Sequence, residues 1–267
     1  MGCIEKVSQA AEKAHSLVCV GLDTDPDKMP EFLASEGDGV YRFNEAIIRS
    51  TSDLVCAYKP NSAFYEALGT HGIEMLQKTC ETIPEDIPVI LDMKRGDISN
   101  TALKYAHYAY DILGADAVTV NPYMGFDAVR PFLRSDKCVF ILCLTSNTSA
   151  QDFQMLETDG VPLYEKVALS AKEWAKEGEV GLVMGATHPE ALRKIRSIAG
   201  DMPILIPGVG TQGGDIETVI KECGAEPGLT IINSSRGILY SSQGEDYSMA
   251  ARLSLLNLRT TINHLRE

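Results

Sequence analysis

Basic residues are scarce: 24 Lys and Arg face 37 Asp and Glu, a formal net charge of −13 over 267 residues. Polyanions are held by clustered Lys and Arg, so a nucleic acid polymer is excluded as the expected partner. A small anion held by a local group of donors is not. Long apolar runs are also missing. None approaches the roughly 18 residues that cross a bilayer, and no membrane association is expected. The N-terminus Met1-Gly2-Cys3-Ile4-Glu5-Lys6 lacks a basic stretch followed by an apolar one, which argues against a secretory signal. Lys6 stands where a myristoylation motif wants Ser or Thr.

There is no Cys-x-x-Cys pair. The seven cysteines (Cys3, Cys19, Cys56, Cys80, Cys138, Cys143, Cys223) are scattered through apolar runs and read as reduced core thiols of a cytoplasmic protein. The five histidines (His15, His71, His107, His188, His264) lack ligand-like spacing, so no metal site is expected. Trp174, the single tryptophan, lies among Lys and Glu on a helical stretch and reads as packing. No Pro/Gly/Ser-rich linker or charge block divides the chain. With 45% hydrophobic and 23% charged residues it reads as one globular domain over residues 1–267.

Short β-branched and apolar runs recur at Leu17–Leu22, Leu54–Lys59, Pro88–Lys94, Ala117–Asn121, Val139–Leu144, Val180–Met184, Pro203–Ile206 and Thr230–Asn233. Helical periodicity falls between and after them: Tyr41–Ser52, Ser62–Thr82, Ser99–Leu113, Phe126–Leu133, Pro162–Lys176, Pro189–Ala199, Gly214–Glu222 and Tyr247–Leu265. Strict alternation predicts parallel strands joined by right-handed crossovers. Eight such units in a chain of this length predict an α/β fold, a (β/α)8 TIM barrel, in preference to an open doubly wound sheet. In that fold function sits at the C-terminal ends of the strands. Those positions hold Asp23, Lys59, Asp92, Lys94, Asp97, Asn121, Thr145, Ser146, Thr187, 208–212 and 234–236, nearly all polar, charged or glycine.

In Leu91-Asp92-Met93-Lys94-Arg95-Gly96-Asp97-Ile98, Asp92 and Lys94 are two apart on a strand and so share a face. If that face points inward, a carboxylate and an ammonium meet in the barrel mouth, joined by Lys59 from the preceding strand and Asp97 from the loop. An ordinary ion pair capping the strand is the plain alternative. Four charges of alternating sign argue for function, because desolvating ions is costly. Such a network suits a decarboxylation. Fixed carboxylates repel a substrate carboxylate, by about 4 kcal/mol per pair at about 4 Å and an effective dielectric of about 20. Lys94 then stabilises the carbanion and gives it a proton.

Pro207-Gly208-Val209-Gly210-Thr211-Gln212-Gly213-Gly214 contains a formal G-x-G-x-x-G. It follows the seventh strand, not the first, and too little chain remains for a dinucleotide half-sheet. Its backbone N–H groups and the next helix N-terminus still suit a phosphate. Arg236, in Asn233-Ser234-Ser235-Arg236-Gly237, offers a fork for two phosphate oxygens. The plain alternative pairs Arg236 with Glu245 or Asp246.

Several stretches together resemble the orotidine 5′-phosphate decarboxylase family, in particular its longer bacterial branch. They are Gly21-Leu22-Asp23, Tyr58-Lys59-Pro60-Asn61-Ser62-Ala63-Phe64, Asp92-Met93-Lys94-Arg95-Gly96-Asp97-Ile98 with Thr101, Thr145-Ser146-Asn147, Pro207-Gly208-Val209-Gly210 with Gln212-Gly213-Gly214, and Ser235-Arg236-Gly237. They run in order from the first strand to the last. The resemblance implies decarboxylation of orotidine 5′-phosphate to uridine 5′-phosphate and CO2 without a cofactor, the last step of de novo pyrimidine synthesis. It implies that Lys59, Asp92, Lys94 and Asp97 form a charged tetrad with Lys94 as proton donor. Asp97, Ile98 and Thr101 would reach into the neighbouring subunit's site, making a homodimer with shared active sites. Asp23 and Lys59 would bind the ribose hydroxyls, Ser146 the pyrimidine, and Gln212 with Arg236 the phosphate, with Ser235 a further substrate contact. The loops 23–41 and 146–162 are longer than in compact members of the family.

Two rivals remain. A magnesium-dependent sister barrel, a keto-hexose-phosphate decarboxylase or aldolase-type synthase, shares Asp-x-Lys-x-x-Asp but carries an acidic residue where Lys59 stands, since a divalent cation needs carboxylates. A non-catalytic phosphometabolite sensor would keep the Gly-Val-Gly and Arg236 end and lose the tetrad.

Overall fold

Apolar runs rich in Val and Ile suit strands covered on both faces, and each of the eight runs overlaps one. In the computed structural model, which describes residues 1–209 and 215–266, they are β1 (Val18–Leu22), β2 (Ala57–Pro60), β3 (Ile90–Arg95), β4 (Ala117–Val120), β5 (Cys138–Leu144), β6 (Glu179–Met184), β7 (Ile204–Pro207) and β8 (Thr230–Ser234). All neighbours pair in parallel in the order β2-β1-β8-β7-β6-β5-β4-β3. The two end strands meet through isolated parallel bridges, Tyr58 with Val89 and Asn61 with Asp92. The sheet is a nearly closed (β/α)8 barrel, as expected, with its seam between β2 and β3.

Several boundaries differ, each for a local reason. Leu54 ends a 3-10 turn (Ser52–Leu54) and does not start β2. The stretch 62–82 is two helices, Ser62–Glu66 and Gly69–Thr82, broken where Gly69 takes a φ of 68°. The stretch 99–113 is α-helical over Ser99–His107 and ends in a single π-helical segment, Tyr108–Ile112. In 126–133, Phe126–Val129 gives way to a 3-10 turn at Arg130–Phe132, whose second residue is Pro131. The helix expected from Gly214 is described over Ile216–Cys223, with Asp215 accepting from the amides of Glu217 and Thr218; Gly214 lies outside the described residues. A short antiparallel pair, Glu157–Thr158 with Val161–Pro162, occupies the loop after β5.

An N-terminal helix, Cys3–Ala14, was not anticipated, although Cys3, Val7, Ala10, Ala11 and Ala14 have the helical spacing of its buried face. The Glu179 carboxylate accepts from the Ile4 amide at 2.9 Å, and Lys6 pairs with Asp116 at 2.8 Å. Cys3, Val7 and Ala11 pack onto the barrel interior, to which each strand contributes: Cys19, Ala57, Ile90, Ala117, Phe140, Val183, Leu205 and Ile231. Side chains alternate along a strand. Two residues beyond Ala57, Ile90, Ala117 and Ile231 the same inward faces therefore carry Lys59, Asp92, Thr119 and Asn233. The interior is apolar at its floor and polar at its mouth.

Candidate active site

Lys59 closes β2 and Asp92 lies across the seam on β3, 3% and 7% exposed. Lys59 Nζ is 2.7 Å from Asp92 Oδ2 and 3.8 Å from Asp23 Oδ1. The other Asp92 oxygen receives Lys94 Nζ at 2.6 Å and the Thr119 hydroxyl at 2.8 Å. The Lys94 amide donates in turn to Thr119 Oγ1 at 3.0 Å.

Asp92 and Lys94 meet, but not through a regular pleat. The register of β3 against β4 shifts between Leu91 and Arg95, and Lys94 takes a φ of 45°, a left-handed conformation that side chains other than glycine rarely adopt. The Thr119 bond holds that backbone. Asp92 remains buried while the Lys94 side chain is 45% exposed at the mouth.

Burial alone would raise the Asp92 carboxyl, but the Lys59 and Lys94 ammonium groups outweigh it and hold Asp92 well below the usual carboxylate range. Burial alone would lower Lys59; the Asp23 and Asp92 carboxylates outweigh it and raise Lys59 above its ordinary value. Both groups stay ionised from about pH 5 to about pH 9.

Buried polar contacts fix the loops that carry these charges. Thr24 Oγ1 donates to Asn44 Oδ1 at 2.5 Å, and Asn44 Nδ2 donates to the Tyr65 hydroxyl at 3.0 Å. That hydroxyl donates to the Leu22 carbonyl at 3.0 Å, tying the end of β1 to the helix that follows Lys59. Tyr240 donates to the Asp23 carbonyl at 2.9 Å and accepts from the Asp25 amide at 2.8 Å. Glu66 pairs with Arg95, whose guanidinium lies over the Tyr105 ring at 5.2 Å.

Three of the four expected charges, Lys59, Asp92 and Lys94, meet within one chain, joined by Asp23. Asp97 Oδ1 accepts from the Ile98 amide at 2.8 Å, and among the described residues Asp97 makes no ion pair with Lys59 or Lys94. Within one chain the group is Asp23, Lys59, Asp92 and Lys94. Ile98 and Thr101 lie exposed on the rim.

A cleft over this group is lined by Asp23, Lys59, Asp92, Val209, Asn233 and Arg236. Gly208 has a φ of 88° there. Arg236 is exposed at the start of the short helix Arg236–Leu239 and pairs with neither Glu245 nor Asp246 among the described residues. Ser235 is half-buried beside it. Gln212, expected at the phosphate, lies outside the described residues. Ser146 is half-buried against Gly185, where a Cβ would stand 2.8 Å from the Ser146 amide nitrogen. Gln154 accepts from the Thr145 amide at 2.8 Å and donates to its hydroxyl at 2.9 Å, holding the segment that bears Ser146.

Thr119, Gln154 and Asn233 were not singled out from the sequence. A polar residue within an otherwise apolar run, Thr119 in 117–120 and Asn233 after Ile231-Ile232, was the signal for these two. Gln154 had none, since its contact depends on the path of a long loop. Among the described residues no three His, Cys, Asp or Glu side chains are grouped to hold a metal ion.

Residues 16–248 match the orotidine 5′-phosphate decarboxylase / HUMPS family. The chain is 50% identical over 252 residues to orotidine 5′-phosphate decarboxylase of Herpetosiphon aurantiacus, covering 93% of each chain. It resembles the structure of Leishmania donovani OMP decarboxylase with a TM-score of 0.86 and 37% identity, covering 100% of this chain and 99% of that one. It also resembles Leishmania donovani UMP synthase with a TM-score of 0.87 and 38% identity, spanning all of this chain but 57% of that longer one.

Proposed function

The chain belongs to the orotidine 5′-phosphate decarboxylase / HUMPS family, and from that premise we infer that its barrel mouth converts orotidine 5′-phosphate to uridine 5′-phosphate and CO2, the last step of de novo UMP synthesis. The observation that carries this reading is the buried Lys59–Asp92–Lys94 chain of contacts at 2.7 and 2.6 Å. It sets a fixed, buried carboxylate beside a cation whose side chain is 45% exposed.

A substrate carboxylate seated over Asp92 is repelled in the ground state and relieved as CO2 leaves. The carbon–carbon bond breaks, and its electron pair stays on the ring carbon that bore the carboxylate. The Lys94 ammonium stabilises that charge and gives one proton from Nζ to the carbon; solvent then restores Lys94. Lys59 neutralises Asp92 on its far oxygen and, with Asp23, receives the ribose hydroxyls. Ser146 faces the pyrimidine. Arg236, with Ser235 and Gln212, takes the phosphate, a remote handle whose binding energy positions the reacting carbon.

Residues 1–267 act as one domain, and the working unit is a homodimer in which Asp97, Ile98 and Thr101 of each chain complete the other's site. Asp97 supports this by standing apart from the charges of its own chain. So does the exposed apolar rim after β3 and β4, formed by Ile98, Leu103, Tyr123 and Met124. The cytoplasm is the proposed location. All seven cysteines are free and buried, as a reducing compartment allows, and among the described residues no helix is long and apolar enough to cross a membrane.

Two measurements test the reading. Orotidine 5′-phosphate added with EDTA and no cofactor is expected to lose its ultraviolet absorbance at the rate seen without EDTA, because Lys59 supplies the positive charge that a metal brings to sister barrels. Absence of turnover refutes the activity, and turnover that needs magnesium favours the metal-dependent rival. For the dimer, Lys94→Ala and Asp97→Ala chains, each inactive alone, are expected to regain activity when mixed and refolded, because one of the two hybrid sites is intact. Persistent inactivity of the mixture rules out shared sites.

A further inference from the structure

We infer that Asn233 is a substrate-specificity residue, its carboxamide oxygen accepting a hydrogen bond from a ribose hydroxyl of the bound nucleotide. The inference rests on the decarboxylase reading and adds to it a residue that this reading does not use.

Asn233 is 5% exposed and lines the cleft together with Asp23, Lys59 and Arg236. Its place is set by the pleat: Ile231 belongs to the apolar floor, and Asn233 is the next inward residue of β8. An apolar side chain at that position would continue the floor. Asn233 instead puts an amide there, and among the described residues its Oδ1 has no hydrogen-bond partner. Among the described residues its side chain makes one hydrogen bond, a long one, Nδ2 donating to Ser235 Oγ at 3.4 Å. A buried acceptor without a donor is costly and calls for an explanation; a bound ligand supplies one.

Gly21 makes room for it. A Cβ at Gly21 would stand 3.1 Å from Asn233 Oδ1 and 1.9 Å from Ser235 Oγ. Gly21 is also the register partner of Lys59 on β2, so the bare backbone of β1 is all that lies between the Asn233 strand and the Lys59 strand. Among the described residues Asp23 Oδ1 is a second buried acceptor in this cleft without a hydrogen bond, since its 3.8 Å approach to Lys59 Nζ is too long for one. Two free acceptors and one ammonium donor suit a vicinal diol. Each hydroxyl has a proton to give to an oxygen, and a lone pair for Lys59.

Binding of the product separates this role from catalysis. UMP, 2′-deoxy-UMP and 3′-deoxy-UMP are titrated into the wild-type protein and into Asn233→Ala and Asn233→Val. The valine variant fills the space with a strand-compatible side chain where alanine leaves a void. In the wild type, loss of the hydroxyl that Asn233 holds is expected to weaken binding about tenfold, the strength of one neutral hydrogen bond. Both variants are expected to bind UMP about tenfold more weakly, yet to bind one of the two deoxynucleotides as the wild type does. Equal weakening for all three nucleotides, or no change for any, overturns the proposal. A wild-type protein that fails to decarboxylate orotidine 5′-phosphate overturns the underlying reading; an active wild type with indiscriminate variants overturns the role of Asn233 alone.

Discussion

Replacing Lys94 with alanine is expected to lower turnover of orotidine 5′-phosphate about 10⁵-fold while leaving the barrel folded. A positioned general acid contributes about 10²–10⁴-fold, and one donor aimed at developing charge a further 10²–10³-fold or so. The two roles overlap in one ammonium, so the combined loss falls below the sum of the extremes. The fold tolerates the change because the Lys94 side chain is 45% exposed and Asp92 retains Lys59 at 2.7 Å and Thr119 at 2.8 Å. The backbone bond from the Lys94 amide to Thr119 does not involve the side chain, and the left-handed φ is as unfavourable for alanine as for lysine. Absorbance-monitored single turnovers give the rate, and thermal melting with UMP titration confirms that the site is formed. A variant within tenfold of the wild type would remove Lys94 from the chemistry.

The second large effect concerns stability. Lys59→Met removes the buried partner of a buried carboxylate, and such breaks cost about 3–5 kcal/mol. The lower end, about 3 kcal/mol, is expected because Lys94 still faces the other oxygen of Asp92. The loss should not depend on pH near neutrality. Asp92 is depressed in the folded state, so its contribution is fully present above the unfolded carboxyl value of about 3.9 and fades as pH falls below it. Lys59 is raised, so its contribution is fully present below about 10.4 and fades as pH rises through its folded value. Urea midpoints of wild type and variant should therefore differ by the same amount at pH 6 and pH 8.5, and by less at pH 3. A difference that vanishes at pH 8.5 would mean that Lys59 is not held charged by Asp23 and Asp92.

How far the sequence carried the reading depends on the range of the interaction involved. The strand at 90–95 and the charges on it were legible because alternation and a polar end are properties of a few consecutive residues. The helix at 189–199 was legible in full, since Pro189 at its first turn and Gly200 after its end punctuate it locally. The break at Gly69 was not. A glycine inside a helical pattern is compatible with helix, and the pattern does not reveal that Gly69 takes a φ of 68°. The helix Cys3–Ala14 was missed because its apolar face is made of cysteine and alanine, weak signals until the barrel floor they cover is known.

By itself the sequence determined the class of fold, the eight strands and the identity of Lys59, Asp92, Lys94 and Arg236 as residues placed at strand ends, since periodicity and punctuation are local. Tertiary structure alone decided which charges meet. The seam between β2 and β3 brings Lys59 against Asp92 from 33 positions away, and a left-handed turn at Lys94 returns its ammonium to the same carboxylate. Asp97, only five positions from Asp92, caps the Ile98 amide of its own chain instead of meeting Lys59 or Lys94 of that chain. Distance along the chain says little about distance across a closed sheet, because pairing between non-adjacent segments, not sequence separation, sets which side chains share the barrel mouth.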